Sequence, residues 1–263
     1  EEEPEPGKIG RIINVIGSKG GTGTTTVAVN LAVSLAEDKS APSVALVDMN
    51  LLFGEIPLFL GIKPSYNWGE ITKNISRLDA TFLKNFLSVD SSGIHVLSSP
   101  ARLDRQLSAT PEVMERLLQV MRTMFDFVII DGGQSLDSIA LKILEMADTV
   151  LVISILSIPC LSNTNKLLRS FEEWGSPSRG CVKVVINRYL DAENAIGEKI
   201  FLSIVNDYRA TMSAINKGQP LSRLEPQAAI TKIFRGLANT LLQADPLPQE
   251  EAKQEKRWWK PSK

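Results

Sequence analysis

Six short, almost unbroken apolar runs separated by helix-length segments constrain this chain more than any other feature. They are Ile12–Ile16, Val44–Asp48, Ile94–Ser98, Phe127–Asp131, Thr149–Ser154 and Val182–Asn187, with a weaker seventh near Phe201–Val205. A strand that is apolar on both faces must be covered on both, which is the pattern of a parallel sheet held between helix layers. The intervening segments carry the helical period. Val27, Leu31 and Leu35 fall on one stripe with Ala28 and Ala32 beside it. Pro111–Met124 reads as a second helix, with Thr110 as its N-cap and Pro111 in its first turn. The expected fold is α/β: a doubly wound, mainly parallel sheet with helices on both faces. In such sheets ligands bind at the carboxyl ends of the strands.

Composition removes several alternatives. The 263 residues carry 29 Lys plus Arg against 30 Asp plus Glu, a net charge of -1. That length suits one large α/β domain or two small ones. The balanced charge gives no general attraction to nucleic acid or anionic lipid, so no nucleic-acid partner is expected. No stretch approaches the roughly 18 consecutive apolar residues of a membrane span. The richest run, Val150–Leu161, is broken by Ser154, Ser157 and Pro159 and reads as a buried strand and its exit loop. Cys160 and Cys181 fit neither a disulfide framework nor a metal spacing and read as buried structural thiols in a reducing cytoplasm. His95, the only histidine, sits in an apolar run and reads as a satisfied strand position. A Ser-His-Asp hydrolase would have to use it, and no G-x-S-x-G elbow is present.

The chain divides into a body and two tails. Residues 1–7 are acidic and proline-spaced, as in a linker, and the absence of an initiator Met suggests a fragment of a longer chain. Residues 8–242 form the body, and 243–263 form a polar, basic-aromatic tail. Trp258 and Trp259 lie there between Arg257 and Lys260. Basic residues flanking Trp can sit at a membrane interface, so this tail is a candidate peripheral contact against the plainer reading of a disordered end.

The exit of the first strand holds the chemistry: Gly17-Ser18-Lys19-Gly20-Gly21-Thr22-Gly23-Thr24-Thr25-Thr26, followed by a helix. Glycines let backbone amides approach a phosphate closely, and the helix aims its unpaired N–H groups and positive dipole end at the same place. The P-loop pattern G-x-x-x-x-G-K-[ST] fails at two positions, where Ser18 replaces the first Gly and Thr24 replaces the Lys. The hydroxyl that normally binds Mg²⁺ survives as Thr25, and a lysine occurs earlier, at Lys19. A dinucleotide fingerprint would need Gly where Thr26 stands.

Lys-Gly-Gly-Thr-Gly-x-Thr-Thr resembles the deviant Walker A loop of the MinD/ParA superfamily of P-loop ATPases. The resemblance implies ATP bound by Lys19, Gly20, Gly21, Thr22, Gly23, Thr24, Thr25 and Thr26. It places Lys19 as the signature lysine that reaches the partner subunit's nucleotide in a sandwich homodimer. Asp48 matches the switch I aspartate, and Asp131 matches the Walker B aspartate. The implied Mg²⁺ set is Thr25, Asp48 and Asp131, with Lys19 and Asp48 as the catalytic residues. Asn187 and Arg188 look like the adenine-contacting pair, and Val205, Asn206 and Asp207 like the loop that wraps the base.

Residues 48–61, 92–100 and 206–221 are similar to one branch, the CpaE/TadZ proteins of Tad (Flp) pilus assembly. The likeness covers about residues 8–242 and implies pilus-assembly components as partners and a cytoplasmic, polar or membrane-peripheral location. Members commonly carry a receiver-like domain upstream, so residues 1–7 are expected to be the remnant of that junction. Departures bear on turnover: Thr24 removes a positive charge from the phosphates, Asn50 replaces a second switch I carboxylate, and Asp131-Gly-Gly-Gln-Ser differs from the usual Asp-x-Pro. Binding with slow or absent hydrolysis is therefore expected. The alternatives are a competent ATPase for DNA partition or division-site placement and, further off, a nicotinamide-binding Rossmann enzyme. Iron–sulfur reductases share the loop, but the two cysteines form no cluster motif.

Overall fold

The computed structural model describes residues 9–50, 54–100, 109–189 and 200–244. The expectations for residues 1–7 and for most of the tail therefore lie outside the described residues. In chain order the elements are β1 (Arg11–Gly17), α1 (Thr24–Ala36), β2 (Val44–Asp48), α2 (Ile56–Leu60), α3 (Trp68–Thr72), α4 (Ala80–Lys84), β3 (Ser88–Val89) and β4 (His95–Leu97). There follow α5 (Pro111–Met124), β5 (Phe127–Gly133), α6 (Ser138–Met146), β6 (Thr149–Ser154), α7 (Ile158–Trp174), β7 (Val182–Tyr189), β8 (Ile200–Val205), α8 (Tyr208–Lys217), α9 (Leu221–Leu224) and α10 (Ala229–Gln243).

The strands form one eight-stranded sheet in the order β3-β4-β2-β5-β1-β6-β7-β8. Every pairing is parallel except that of the two-residue β3 with β4. The doubly wound α/β fold expected from the apolar runs is thus the fold observed. Strand β1 lies at the centre, so the loop leaving it opens in the middle of the carboxyl edge. Alternate residues of the strands feed two cores. Ile13, Val15, Leu46 and Ile129 pack with α1, α8 and α10 on one face, while Ile12, Ile16, Val47 and Ile130 pack with α5, α6 and α3 on the other. Each such side chain contributes roughly 1.5–3 kcal/mol by leaving water.

At the opposite edge of the sheet, Arg122 grips Asp148 with two contacts from Nη2, at 3.0 and 2.9 Å. Arg122 Nε donates to the carbonyl of Gly10 at 2.8 Å, and the Ile12 N–H donates to Asp148 at 2.8 Å. This locks α5 to the start of β1 and leaves the carboxyl edge for function.

Several local expectations need correction. The run Val150–Leu161 does not end in a loop: β6 stops at Ser154 and α7 begins at Ile158, with proline in its first turn, where the missing N–H has no intrahelical use. Helix α1 is not a one-sided stripe. Val27 to Leu35 are all buried, because the helix lies between the sheet and α10. Cys160 is buried in α7, whereas Cys181 is only half-buried, in a turn beside Ser178. His95 is a strand residue as expected, yet its Nδ1 has no hydrogen-bond partner among the described residues. The weak seventh run is a full strand, β8, and α10 extends to Gln243.

Candidate nucleotide site

The loop between β1 and α1 is shaped by two residues in left-handed conformation, Gly21 (φ +80°) and Gly23 (φ +95°). Gly23 is also the N-cap of α1, and no side chain caps that helix. Its first-turn N–H groups are left for an external acceptor. At Gly23 glycine is required twice over, since a Cβ there would collide with the Asn187 amide.

Three other elements hold the loop. The Asn187 Nδ2, from β7, donates to the Thr22 carbonyl at 2.8 Å. The Asn163 Nδ2, from α7, donates to the Ser18 carbonyl at 3.1 Å. The Ser18 hydroxyl donates to Ser154 Oγ, at the end of β6, at 3.3 Å, and Thr164 Oγ1 lies 3.0 Å from the same atom. Within the loop the Thr22 hydroxyl donates to the Lys19 carbonyl at 3.0 Å. The Lys19 side chain is exposed and pairs with no described residue. Thr24 turns its hydroxyl back towards the end of β1, 3.5 Å from Thr22 Oγ1 and 2.7 Å from where a Gly17 Cβ would stand.

Beside the loop two carboxylates meet. Asp48, the last residue of β2, and Asp131, two residues before the end of β5, are register partners, with exposures of 0% and 1%. The Thr25 hydroxyl donates to Asp131 Oδ2 at 2.6 Å. The Asn50 N–H donates to Asp48 Oδ1 at 3.0 Å, and the Ile56 N–H donates to Oδ2 at 3.3 Å. The Trp68 indole N–H, fully buried, donates to the Asp48 carbonyl at 3.0 Å. Gly54 passes so close to Ser99 that no Cβ fits. Burial, with the neighbouring Asp131 charge, pushes the Asp48 carboxyl up to about 7. Burial also pushes Asp131 up to about 6, against the Thr25 and Gly133 hydrogen bonds that favour its charged form. No cation among the described residues pairs with either acid. Two carboxylates and a hydroxyl are a hard oxygen set of the kind Mg²⁺ takes, and the uncompensated charge at this spot fits that ion.

The segment expected at the base is only partly assembled. Asn187 ends in contact with the loop, with its Oδ1 accepting from the Arg188 N–H at 2.9 Å, and Arg188 has a left-handed φ of +54°. The Asn206 N–H donates to the Tyr189 carbonyl at 3.2 Å, which brings Val205 and Asn206 beside the end of β7. Asp207 is the N-cap of α8, accepting from the Ala210 N–H at 3.0 Å. The connection 190–199 lies outside the described residues. Sequence reading missed Asn163, Ser154, Trp68 and Asn14. For Asn14 a signal existed, since it is the polar residue inside the apolar run of β1; it is 2% exposed and its Oδ1 has no partner among the described residues.

A glycine loop running from a central parallel strand into an uncapped helix, beside paired acids on adjacent strands, is the arrangement of the MinD/ParA fold. Residues 10–177 match the family described as AAA domain, and the chain belongs to that family. An ATP-binding protein of Methanocaldococcus jannaschii, itself uncharacterized, is 24% identical over 240 residues, spanning 88% of each chain. The crystal structure of a ParA family ATPase from Chlorobium tepidum superposes with a TM-score of 0.79 at 24% identity, covering 87% of this chain and 98% of that one. The septum site-determining protein MinD of Pyrococcus horikoshii, complexed with Mg-ADP, superposes with a TM-score of 0.72 at 22% identity, covering 89% and 97%.

Proposed function

We propose that this chain binds ATP with Mg²⁺ at the β1–α1 loop, dimerises around it, and acts as a positional scaffold in assembly of the Tad/Flp pilus machinery, with slow hydrolysis or none. The observation that carries the nucleotide part is the pairing of an uncapped glycine loop with two buried, uncompensated carboxylates beside Thr25. The loop amides from Gly20 to Thr26 would hold the phosphates. Thr25, Asp48 and Asp131 would hold Mg²⁺, which when bound supplies positive charge to the phosphates. Asn187, Arg188, Val205, Asn206 and Asp207 would frame the adenine. The Mg-ADP complex of the Pyrococcus MinD supports this ligand choice.

Dimerisation is supported by Lys19, an exposed ammonium that pairs with no described residue, at the mouth of a loop that lacks a lysine at position 24. Reaching across to a partner's phosphates, it would supply in trans the charge that Thr24 cannot supply in cis. Slow turnover follows from the same replacement: one charge-assisted hydrogen bond is worth roughly 1.5–3 kcal/mol, and each ~1.4 kcal/mol of barrier is a decade in rate. The pilus assignment rests on the likeness of residues 48–61, 92–100 and 206–221 to the CpaE/TadZ branch.

The test is equilibrium binding of ATP with Mg²⁺, combined with sedimentation, on the wild type and Lys19→Ala. The wild type should bind and dimerise, and the variant should bind without dimerising. If ATP neither binds nor promotes dimers, the scaffold mechanism is wrong.

A further inference from the structure

The segment that leaves β5, Asp131-Gly132-Gly133-Gln134, is built to return one side chain to the phosphate loop. Gly132 is pressed against β1, where a Cβ would stand 2.6 Å from Asn14 Oδ1 and 3.0 Å from Ile16 Cγ2. Gly133 then takes a left-handed φ of +61°. These two steps reverse the chain so that the Gln134 carboxamide lies over Gly20. A Cβ on Gly20 would stand 3.2 Å from Gln134 Oε1 and 3.4 Å from Nε2. Beyond Gln134 the chain is anchored again. Asp137 accepts from the N–H groups of Ile139 and Ala140 at 3.0 and 2.9 Å, and the Ser135 hydroxyl donates to Asp137 at 2.9 Å. Gln134 itself is exposed and makes no hydrogen bond to a described residue.

We infer that Gln134 holds the water that attacks the γ-phosphorus of the bound nucleotide. The inference rests on the nucleotide reading above and commits it to slow turnover rather than none. A carboxamide offers one acceptor and one donor group. Its Oε1 takes an O–H of the water while Nε2 donates to a phosphoryl oxygen, which fixes the attack line. Phosphoryl transfer needs little more from a protein than such positioning and charge stabilisation.

Asp48, Thr24 and Lys19, which lie near the same loop, are less suited to it. Asp48 is assigned to Mg²⁺ in the reading above, and Thr24 faces the end of β1. Lys19 carries donors only. In the step, the water oxygen forms a bond to the γ-phosphorus. The bond from that phosphorus to the bridging oxygen breaks, its electron pair leaving with ADP. One proton of the water moves to a phosphoryl oxygen and departs with inorganic phosphate as dihydrogen phosphate.

The experiment measures ATP affinity and single-turnover hydrolysis with Mg²⁺ for the wild type, Gln134→Ala and Gln134→Asn, with thermal melts as a control on folding. Gln134→Ala should lower the hydrolysis rate by about 100-fold, the lower end of the range for positioned groups that handle a reacting proton, with the ATP dissociation constant unchanged within about twofold. Gln134→Asn, which keeps the amide but shortens its reach, should fall with it, which a general packing role would not produce. Equal hydrolysis in wild type and Gln134→Ala, or ATP binding with no hydrolysis in the wild type, would overturn the inference and leave the nucleotide reading standing. Absence of ATP binding in the wild type would overturn that reading itself.

Discussion

Asp48 and Asp131 stand opposite one another towards the carboxyl edge of adjacent parallel strands, both buried, and among the described residues only Asp131 receives a hydroxyl hydrogen bond, from Thr25. Burial raises both carboxyls, to about 7 for Asp48 and about 6 for Asp131. In the unfolded chain they would titrate near 3.9. Between those values the folded protein binds more protons than the unfolded one, so its stability falls as pH rises.

The metal-free protein should therefore melt at a higher temperature near pH 5 than near pH 8 on account of this pair. Asp48→Asn should flatten that dependence. Each kcal/mol regained is worth about 2–4 °C in a protein approaching this size. Mg²⁺ should raise the melting temperature more at pH 8 than at pH 5, because the ion compensates a charge that is absent at low pH. Calorimetric scans across pH, with and without Mg²⁺, check all three.

Thr25→Ala removes the donor to Asp131 while leaving the carboxyl buried. Loss of one partner from a buried pair costs roughly 1–3 kcal/mol, so denaturant midpoints should drop accordingly. Mg²⁺-dependent ATP binding should weaken further than stability alone accounts for. Titration calorimetry with and without Mg²⁺ separates the two effects.

Thr24→Lys restores the charge that the loop lacks. A lysine at the first position of α1 adds a charge-assisted contact worth roughly 1.5–3 kcal/mol. Realised in the transition state, it should raise turnover by about one to two decades; realised equally in the ground state, it should tighten ATP binding instead. Rates and dissociation constants measured on the same preparation show which. No change in either would mean that the new side chain never reaches the phosphates.

Gly23→Ala tests the clasp between β7 and the loop. The substitution forces an alanine into φ +95° and drives its Cβ into the Asn187 amide. Strain of this kind costs of order 1–3 kcal/mol. ATP binding should fall sharply, and Gly23→Ala combined with Asn187→Ala should recover part of the stability, since the collision is then removed.

All strands but the two-residue β3 were legible because each is a local event, a run of apolar residues closed by a polar one. Val44–Asp48 and Thr149–Ser154 end where their first polar or charged residue suggests. Pro111–Met124 was legible for the same reason, with Thr110 accepting from the Val113 N–H as an N-cap should. The helices α2, α3 and α4 were not, because five residues are too few to display a period. The all-round burial of α1 depends on α10, some two hundred residues later in the chain, and leaves no mark within α1 itself. In the site, Gly23, Thr25 and the strand-end acids could be read from local pattern. The contacts of Asn187 and Asn163 with the loop could not, since each joins residues about 150 positions apart. Nor could the return of Gln134 to Gly20, which depends on the path of the backbone through Gly132 and Gly133.

The hydrogen bonds around the loop also set how the molecule deforms. On the β6 and β7 side, Ser18, Ser154, Asn163 and Asn187 moor the loop to three neighbouring elements. On the β2 side, the bonds to Asp48 among the described residues come from N–H groups of its own exit segment, and its carbonyl is the anchorage of the Trp68 indole. Compliance is thus lopsided about β1: one bank is a fixed reference, and the other can yield. A change of charge at Asp48 will travel towards α3 rather than α7, and Trp68 is its natural reporter. Hydrogen exchange on nucleotide addition should slow most at residues 54–72 and least at 160–187, giving this chain a sensing flank and a holding flank.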